Sequence, residues 1–199
     1  MARLSRAESQ ARTRELLVDT ARELFLRDGY SATSLAKVAE VAGFSTGAVY
    51  SNFENKSALA LVVLDRIQEE KLGEAGVIFA DRAGLDEKLD AIREWADRTL
   101  DSGWARLELE FALEARADPQ LVRALVDREA QVVALVARTL EQPLADLGLD
   151  GVVPPKVLAG GLISLAVGLA MQRLVDPKVS TSGLIDLLRS VLGFAAKAR

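Results

Sequence analysis

Apolar residues recur at spacings of three and four along almost the whole chain, and this pattern most limits the folds open to it. Leu17, Ala21 and Leu24 follow the spacing near the N-terminus, and Leu85 and Leu89 begin a later run. Residues so spaced lie on one face of an α-helix. No stretch alternates apolar and polar residues over a strand length, and no Asn-Gly or Asp-Gly pair joins two β-branched runs. The sequence therefore predicts an all-α fold.

Start and stop signals divide the chain into about nine helices. Gly29 ends the first helix, Thr33 is predicted to cap the second, and Pro119 suits the first turn of the seventh. Pro143 is expected to kink or end that seventh helix, since proline lacks an amide hydrogen. The predicted helices are 7–27, 34–41, 45–52, 56–80, 85–100, 104–116, one beginning at 119, 156–175 and 182–198.

The composition excludes several kinds of chemistry. The chain of 199 residues has no Cys and no His, which rules out disulfides, thiolate metal sites and the commonest general base. A carboxylate di-metal site of the Glu-x-x-His kind is excluded as well. No glycine-rich phosphate loop with its lysine is present. We therefore expect no metal, no cofactor and no enzymatic activity.

Charge and hydropathy place the chain in the cytoplasm. Its net charge is −4, with eight basic against seven acidic residues in 1–56 and seventeen against twenty-two in 57–199. The N-terminus shows no apolar stretch of the secretory kind. The longest uncharged run, Val157–Gln172, has sixteen residues, fewer than the roughly 18 or more that a membrane span needs. The run is predicted to be a buried helix, without membrane contact.

Residues 33–53 have the pattern of two short helices joined by a tight turn. Val38 lies on the inner face of the first helix, and Val49 and Phe53 bury one face of the second. Gly43 stands where the chain reverses and suits a positive φ. Ser45 can cap the second helix. This arrangement predicts a helix-turn-helix, whose second helix enters the major groove of DNA.

The other face of that second helix is small and polar, which suits contacts to phosphates and base edges. The helix N-termini at Ser34 and Ser45 also favour anions. Few hydrogen-bonding groups on the helix favour reading through thymine methyls and DNA shape. The exposed residues are predicted to be Ser45, Thr46, Gly47, Ala48, Tyr50, Ser51 and Asn52.

The stretch from Arg14 to Leu59 resembles the DNA-binding domain of TetR-type transcriptional regulators. The resemblance rests on Leu24-Phe25, Gly29-Tyr30, Thr33-Ser34-Leu35, Ala42-Gly43-Phe44-Ser45, Gly47-Ala48-Val49-Tyr50, Asn52-Phe53 and Lys56-Ser57-Ala58-Leu59, among others. It implies that Thr33 and Lys37 face the DNA backbone and that Tyr50 and Lys56 clamp phosphates. It further implies a DNA-binding domain at 1–56 with three helices and a helical ligand-binding and dimerisation domain at 57–199.

Aromatic and apolar residues beyond the first domain are candidates for an effector pocket between helices. Because the bundle is apolar and lacks His, the unknown effector is expected to be small and mainly apolar, and the acidic excess of residues 57–199 leaves a weakly cationic molecule open. The same residues are also ordinary core material. The candidates are Leu64, Trp95, Trp104, Glu108, Phe111 and Leu165.

The last two helices offer a face for pairing with a second copy of the chain. Small residues four apart let two helix backbones approach closely, and two helices from each copy would form a four-helix interface. In the resembled family the last two helices have this role. The predicted interface residues are Gly160, Ser164, Leu165, Gly168, Leu184, Leu188 and Val191.

These patterns together predict a ligand-responsive repressor that binds a palindromic double-stranded operator as a homodimer. An effector-driven change in the spacing of the two DNA-binding heads, with the fourth helix as lever, would release the DNA. Two other functions stay open: a helical ligand-binding protein or enzyme whose helix-turn-helix only packs, and a module that docks a partner helix. Activation instead of repression and a filled or collapsed pocket also stay open.

Overall fold

The computed structural model describes residues 5–146, 148–149 and 151–197, and side chains as far as residue 190 apart from those two gaps. Within these residues it contains nine α-helices and no strand, so the predicted all-α fold is confirmed. The helices are α1 (Arg6–Asp28), α2 (Leu35–Ala42), α3 (Thr46–Tyr50), α4 (Lys56–Ala80), α5 (Leu85–Asp101), α6 (Trp104–Ala115), α7 (Pro119–Asp146), α8 (Pro155–Val175) and α9 (Ser182–Lys197).

One prediction about a helix end was wrong, and one of the two expectations for Pro143 is excluded, because the proline does not end its helix. Ser34, not Thr33, caps α2, because the Ser34 hydroxyl oxygen accepts the Lys37 amide at 3.1 Å. Pro143 lies inside α7, which continues to Asp146. Because proline has no amide hydrogen, Pro143 cannot donate the helical hydrogen bond to the Thr139 carbonyl.

The chain divides into two compact units. The first contains Met1–Glu69 and Arg106–Leu121, and the second contains Glu70–Ala105 and Val122–Arg199. The first unit therefore includes most of α6, which lies far along the chain from α1 to α3. The predicted boundary after residue 56 separates a DNA-binding domain from a ligand-binding and dimerisation domain, and it stays a prediction.

The first unit has an aliphatic core with an aromatic cluster at one side. The cluster consists of Phe25, Tyr30 and Phe111, whose side chains are fully buried. The Tyr30 ring centroid lies 5.5 Å from that of Phe25 and 5.3 Å from that of Phe111, the latter edge to face. Such pairs add stability beyond their buried area. Leu17 and Leu59 complete the core from α1 and α4.

The second unit combines a small apolar core with ion pairs between helices. Ala137, Leu140, Leu144 and Ala159 form the buried cluster between α7 and α8. Separately, the half-buried Arg173 guanidinium of α8 binds the carboxylates of two α5 residues, Asp97 at 3.0 Å and Asp101 at 2.8 Å.

The prediction that α8 is buried was wrong for the single chain. Val157 is 67% exposed and Val175 is 88% exposed. Among the described residues, α8 is the one helix long and apolar enough to cross a membrane, with 21 residues, yet only 11% of its most apolar window is buried. Hydropathy identifies an apolar helix, but it does not say whether the same chain covers it.

Candidate nucleic-acid interface

Three local devices fix the angle between α2 and α3. The Ser34 hydroxyl caps α2, and the Ser45 hydroxyl accepts the Ala48 amide at 3.2 Å, which confirms its predicted capping role. Between the helices Gly43 has φ 75°, in the left-handed region that favours glycine. The next amide, of Phe44, donates to the Ala39 carbonyl at 2.9 Å and closes the turn.

Burial separates an inner and an outer face of α3. Val49 is fully buried and Phe53, just beyond the helix, is 3% exposed, whereas Tyr50 is 58% exposed. Most of the predicted contact residues lie on the outer surface. Ser34, Lys37, Ser45, Thr46, Gly47, Tyr50 and Ser51 are exposed, and Ala48, Asn52 and Lys56 are half-buried.

Thr33 is not on that surface. Its side chain is 3% exposed, and its hydroxyl donates to the Gly29 carbonyl at 2.8 Å. A buried hydroxyl already bonded to backbone cannot reach a phosphate, so the structure contradicts the outward-facing role implied for Thr33. The residue instead braces the loop between α1 and α2.

Lys56 is held against protein groups. Its ammonium nitrogen lies 4.0 Å from the centroid of the Tyr30 ring, the distance of a cation–π contact. Burial lowers the pKa of Lys56, and the nearby Glu114 and Glu110 carboxylates partly counter this. The structure thus gives this lysine a packing role that the sequence did not predict, and its phosphate contact stays a prediction.

Lys37 and Asn52 also have partners within the chain. The Lys37 ammonium lies 3.2 Å from a Glu40 carboxylate oxygen, in an exposed pair. The Asn52 amide nitrogen donates to the Ala48 carbonyl at 2.8 Å. Exposed ion pairs of this kind are weak, so a phosphate can displace Glu40 from Lys37.

Arg14 fastens the end of the α3 segment to α1. Its guanidinium donates to the Asn52 carbonyl at 2.7 Å and lies 4.2 Å from the centroid of the Phe53 ring. The sequence analysis included Arg14 in the stretch that resembles the family, but it did not predict this contact. The Asn52 carbonyl is 38 residues away along the chain, and a local sequence pattern does not indicate a contact at that separation.

The inner face of α6 supports the loop that leads into α2. The Arg106 guanidinium donates to the Leu26 and Arg27 carbonyls at 3.0 and 2.8 Å, which satisfies the end of α1. A Glu110 carboxylate oxygen accepts the Ser31 amide at 2.8 Å. A Glu114 oxygen accepts the Tyr30 hydroxyl at 3.3 Å. We call Arg106, Glu110, Phe111 and Glu114 the α6 brace.

The predicted pocket residues are divided between the two units. Leu64, Glu108 and Phe111 belong to the first unit and Trp95, Trp104 and Leu165 to the second. Phe111 is a core residue against Tyr30, as the alternative of ordinary core material had it, and Leu165 is 50% exposed. The Trp95 indole nitrogen donates to a Glu74 oxygen at 2.9 Å.

The second unit carries a shallow, open groove at the end of α8. Its lining residues are Met171, Gln172, Val175, Asp176 and Val179. None of them is among the six candidate pocket residues named above from the sequence. Among the described residues no group of three or more acidic side chains is placed to hold a metal ion.

The predicted pairing residues lie on α8 and α9. Ser164 and Leu165 are exposed, and Gly160, Gly168, Leu184 and Leu188 are half-buried. An added Cβ on Gly160 or Gly168 would meet nothing within 4 Å, so this chain does not require the small residues. The Val191 side chain lies outside the described residues.

Comparisons with known proteins agree with this geometry. Residues 17–63 match the family model described as bacterial regulatory proteins, tetR family. Over 182 residues, 87% of this chain and 92% of the relative, the sequence is 29% identical to the HTH-type transcriptional repressor Rv1474c of Mycobacterium tuberculosis.

Solved structures share the fold. A transcriptional regulator from Rhodococcus sp. RHA1 has a TM-score of 0.77 at 17% identity, over 91% of this chain and 95% of that one. The transcriptional regulator FadR from Bacillus subtilis, solved with stearoyl-CoA, has a TM-score of 0.67 at 18% identity, over 92% and 97%.

Proposed function

Because this chain belongs to the tetR family of bacterial regulatory proteins, we propose that it represses transcription from a palindromic operator, which it binds as a homodimer in the cytoplasm. The outer face of α3 carries this proposal. That face is exposed, free of charged residues and built from small or polar side chains, while Val49 holds the helix from beneath. Such a helix can lie close to the bases of the major groove.

The contacts divide by chemistry. Thr46, Gly47 and Ala48 approach base edges, and Tyr50 and Ser51 reach the backbone of the groove. The amides at the start of α2, beside Ser34, and of α3, beside Ser45, face a phosphate on either side. Lys37 also binds a phosphate, which replaces Glu40 as the partner of its ammonium group.

The exposed face of α8 supports dimerisation. Leu165 is half-exposed and Val157 more so, and an apolar face of this length is costly to leave in water. We propose that α8 and α9 pair with the same helices of a second chain, around Gly160 and Gly168. The pair of chains then presents two α3 helices to two half-sites of one operator.

Release of DNA is proposed to follow binding of a small, mainly apolar effector by the second unit. Trp95 and Trp104 remain the candidate lining residues, and FadR of Bacillus subtilis was solved with such a partly apolar ligand, stearoyl-CoA. An effector lowers DNA affinity only through its preference for the state that binds DNA poorly. Since α4 and α6 each contribute residues to both units, we propose that both transmit the change.

Selection from a random duplex library at moderate salt tests the proposal. We expect one enriched palindrome whose half-sites lie about one helical turn apart or somewhat more. Tyr50→Ala should weaken binding to that operator, while Arg82→Ala, an exposed change in the loop after α4, serves as the matched control. A folded protein that enriches no sequence would contradict the proposal and favour a ligand-binding or partner-docking protein.

A further inference from the structure

We propose that the exposed N-terminal turns of α1 form a second DNA-contacting element, in which Arg6 binds a backbone phosphate beyond the end of α3. The inference rests on the proposed function and names a contact outside the helix-turn-helix. The ligand of this second element is the phosphate backbone of the same DNA duplex whose bases contact α3.

The helix-turn-helix itself lacks net positive charge. From Thr33 to Lys56 the chain has two lysines and two glutamates. One lysine pairs with Glu40, and the other lies on the Tyr30 ring. Duplex DNA is a polyanion, and most of the affinity of its ligands comes from neutralised phosphates. Lys37 can exchange Glu40 for a phosphate, but further cations for such binding must come from another part of the first unit.

The start of α1 supplies them. The stretch from Arg6 to Arg14 has three arginines and one glutamate. The Arg6 and Arg12 guanidinium groups have no hydrogen-bond or ion-pair partner among the described residues. The single acid, Glu8, is engaged with the backbone of the first turn, and those bonds lower the pKa of its carboxyl.

These turns are ordered without packing on the rest of the unit. Every residue from 5 to 12 is exposed, so no burial accounts for the helix there. A capping box begins it instead: the Ser5 hydroxyl accepts the Glu8 amide at 3.2 Å, and a Glu8 oxygen accepts the Ser5 amide at 2.7 Å. The cap gives a defined position to a helical arm whose arginine side chains at positions 6 and 12 extend into solvent.

Arg14 sets the direction of this arm. Its guanidinium binds the Asn52 carbonyl, so the Arg14 face of α1 points to the end of α3. At about 100° per residue, Arg6 lies about 80° from Arg14 around the helix and about 12 Å further along it. Arg12 lies about 160° away, on the opposite face. Arg6 is therefore placed to extend the α3 surface, and Arg12 is not.

The test compares Arg6→Glu with Arg12→Glu in the full-length protein on the selected operator. Both changes reverse one charge on the same exposed helix. A glutamate at position 6 also suits the first turn of a helix, so circular dichroism and the unfolding midpoint should match the wild type. The expected result is a large loss of affinity for Arg6→Glu and a small one for Arg12→Glu.

Salt dependence gives the second readout. A dimer that loses one phosphate contact per chain should lose about 1.8 from the slope of log affinity against log salt. The deficit of Arg6→Glu should therefore shrink by roughly tenfold between 50 and 200 mM salt. Equal losses for the two variants, or an unchanged slope for Arg6→Glu, would overturn the inference. If the wild type itself binds no DNA, the proposed function fails, and the inference fails with it.

Discussion

At Gly47, the second residue of α3, the helix would be more stable with a different residue. Gly47 has no positive φ, and an added Cβ would lie 3.7 Å from the Ser45 hydroxyl oxygen, an ordinary contact. The fold therefore does not require glycine here, and alanine favours an exposed helix by up to about 1 kcal/mol. The proposed close approach of the backbone to DNA would account for the glycine.

Replacing Gly47 with Ala should therefore separate stability from binding. We expect the free energy of unfolding to rise by roughly 0.5–1 kcal/mol, measured by urea denaturation. Affinity for the selected operator should fall at least tenfold, measured by mobility shift. Ala36→Gly, an exposed change on α2, is a control for helix propensity alone. If the Gly47→Ala variant binds the operator as tightly as the wild type, the backbone at this position does not lie close to the DNA.

Tyr30 allows a test by pH. Burial raises the pKa of its phenol, and the neighbouring Glu114 raises it further, while the hydrogen bond to Ser57 acts in the opposite direction. In a Tyr50→Phe protein Tyr30 is the single tyrosine. Its phenolate absorbance should therefore appear above pH 10.0 in the folded protein and shift towards pH 10.0 in urea.

The sign for stability follows from this difference. A group whose folded pKa is raised stabilises the fold fully below its unfolded pKa, and that stability is lost as the pH rises through the folded value. Below pH 10 the Tyr50→Phe protein should have a higher free energy of unfolding than the double variant that also carries Tyr30→Phe. This difference should decrease as the pH rises above 10. Lys56 faces the same ring and is common to both proteins. Titration at or below pH 10.0 in the folded state would contradict the burial argument.

At the residue scale the sequence predicted local contacts better than distant ones. The Ser45 cap could be predicted because a cap involves residues three apart. Thr33 and Ser34 are both good caps, and the pattern could not choose between them. The position of Lys56 over Tyr30 depends on how α4 packs, and a lysine after a helix-turn-helix gives no local sign of that.

At the scale of helices, start and stop signals predicted most boundaries to within two residues, because caps and helix-breaking residues act locally. What they could not predict was the α6 brace. Glu110 binds an amide 79 residues away, and a helical pattern at Trp104–Ala115 looks the same whichever neighbour it packs on. Phe111 was therefore taken for a pocket residue, and the structure places it in the core of the first unit.

Removing the Glu110 carboxylate should show what the brace contributes. Glu110→Ala leaves the Ser31 amide and the Arg106 guanidinium each without one partner. We expect the free energy of unfolding to fall by about 1–2 kcal/mol, measured by urea denaturation. Glu94→Ala, an exposed change on α5, should have little effect. Equal stability of the two variants would show that the brace is not a stabilising contact.

At the scale of the whole molecule, the main feature that the single chain leaves unexplained is the apolar face of α8, which is exposed. Sequence reasoning recognised both its apolar character and its small residues, yet it also predicted burial within the chain. The proposed pairing with a second chain would make the two expectations consistent.

A charge on that face should therefore prevent pairing without unfolding the chain. Leu165 is 50% exposed, and Val126 on α7 is 58% exposed, so glutamate is tolerated at either position in a single chain. We expect Leu165→Glu to weaken the dimer by about a hundredfold or more, since a carboxylate buried in the interface lacks a partner. Val126→Glu should leave the dimer intact. Sedimentation velocity distinguishes the two, and an unchanged dimer in Leu165→Glu would exclude this face.

The first compact unit is assembled from two stretches of chain, and this limits how such a regulator can be recombined. A chimera joined after residue 56 would take Tyr30 without Phe111 and the end of α1 without Arg106. Residues 1–56 are thus not a module that can be exchanged by itself in a gene fusion. Any transplant that keeps the head intact has to bring the inner face of α6 with it, from a position some fifty residues downstream.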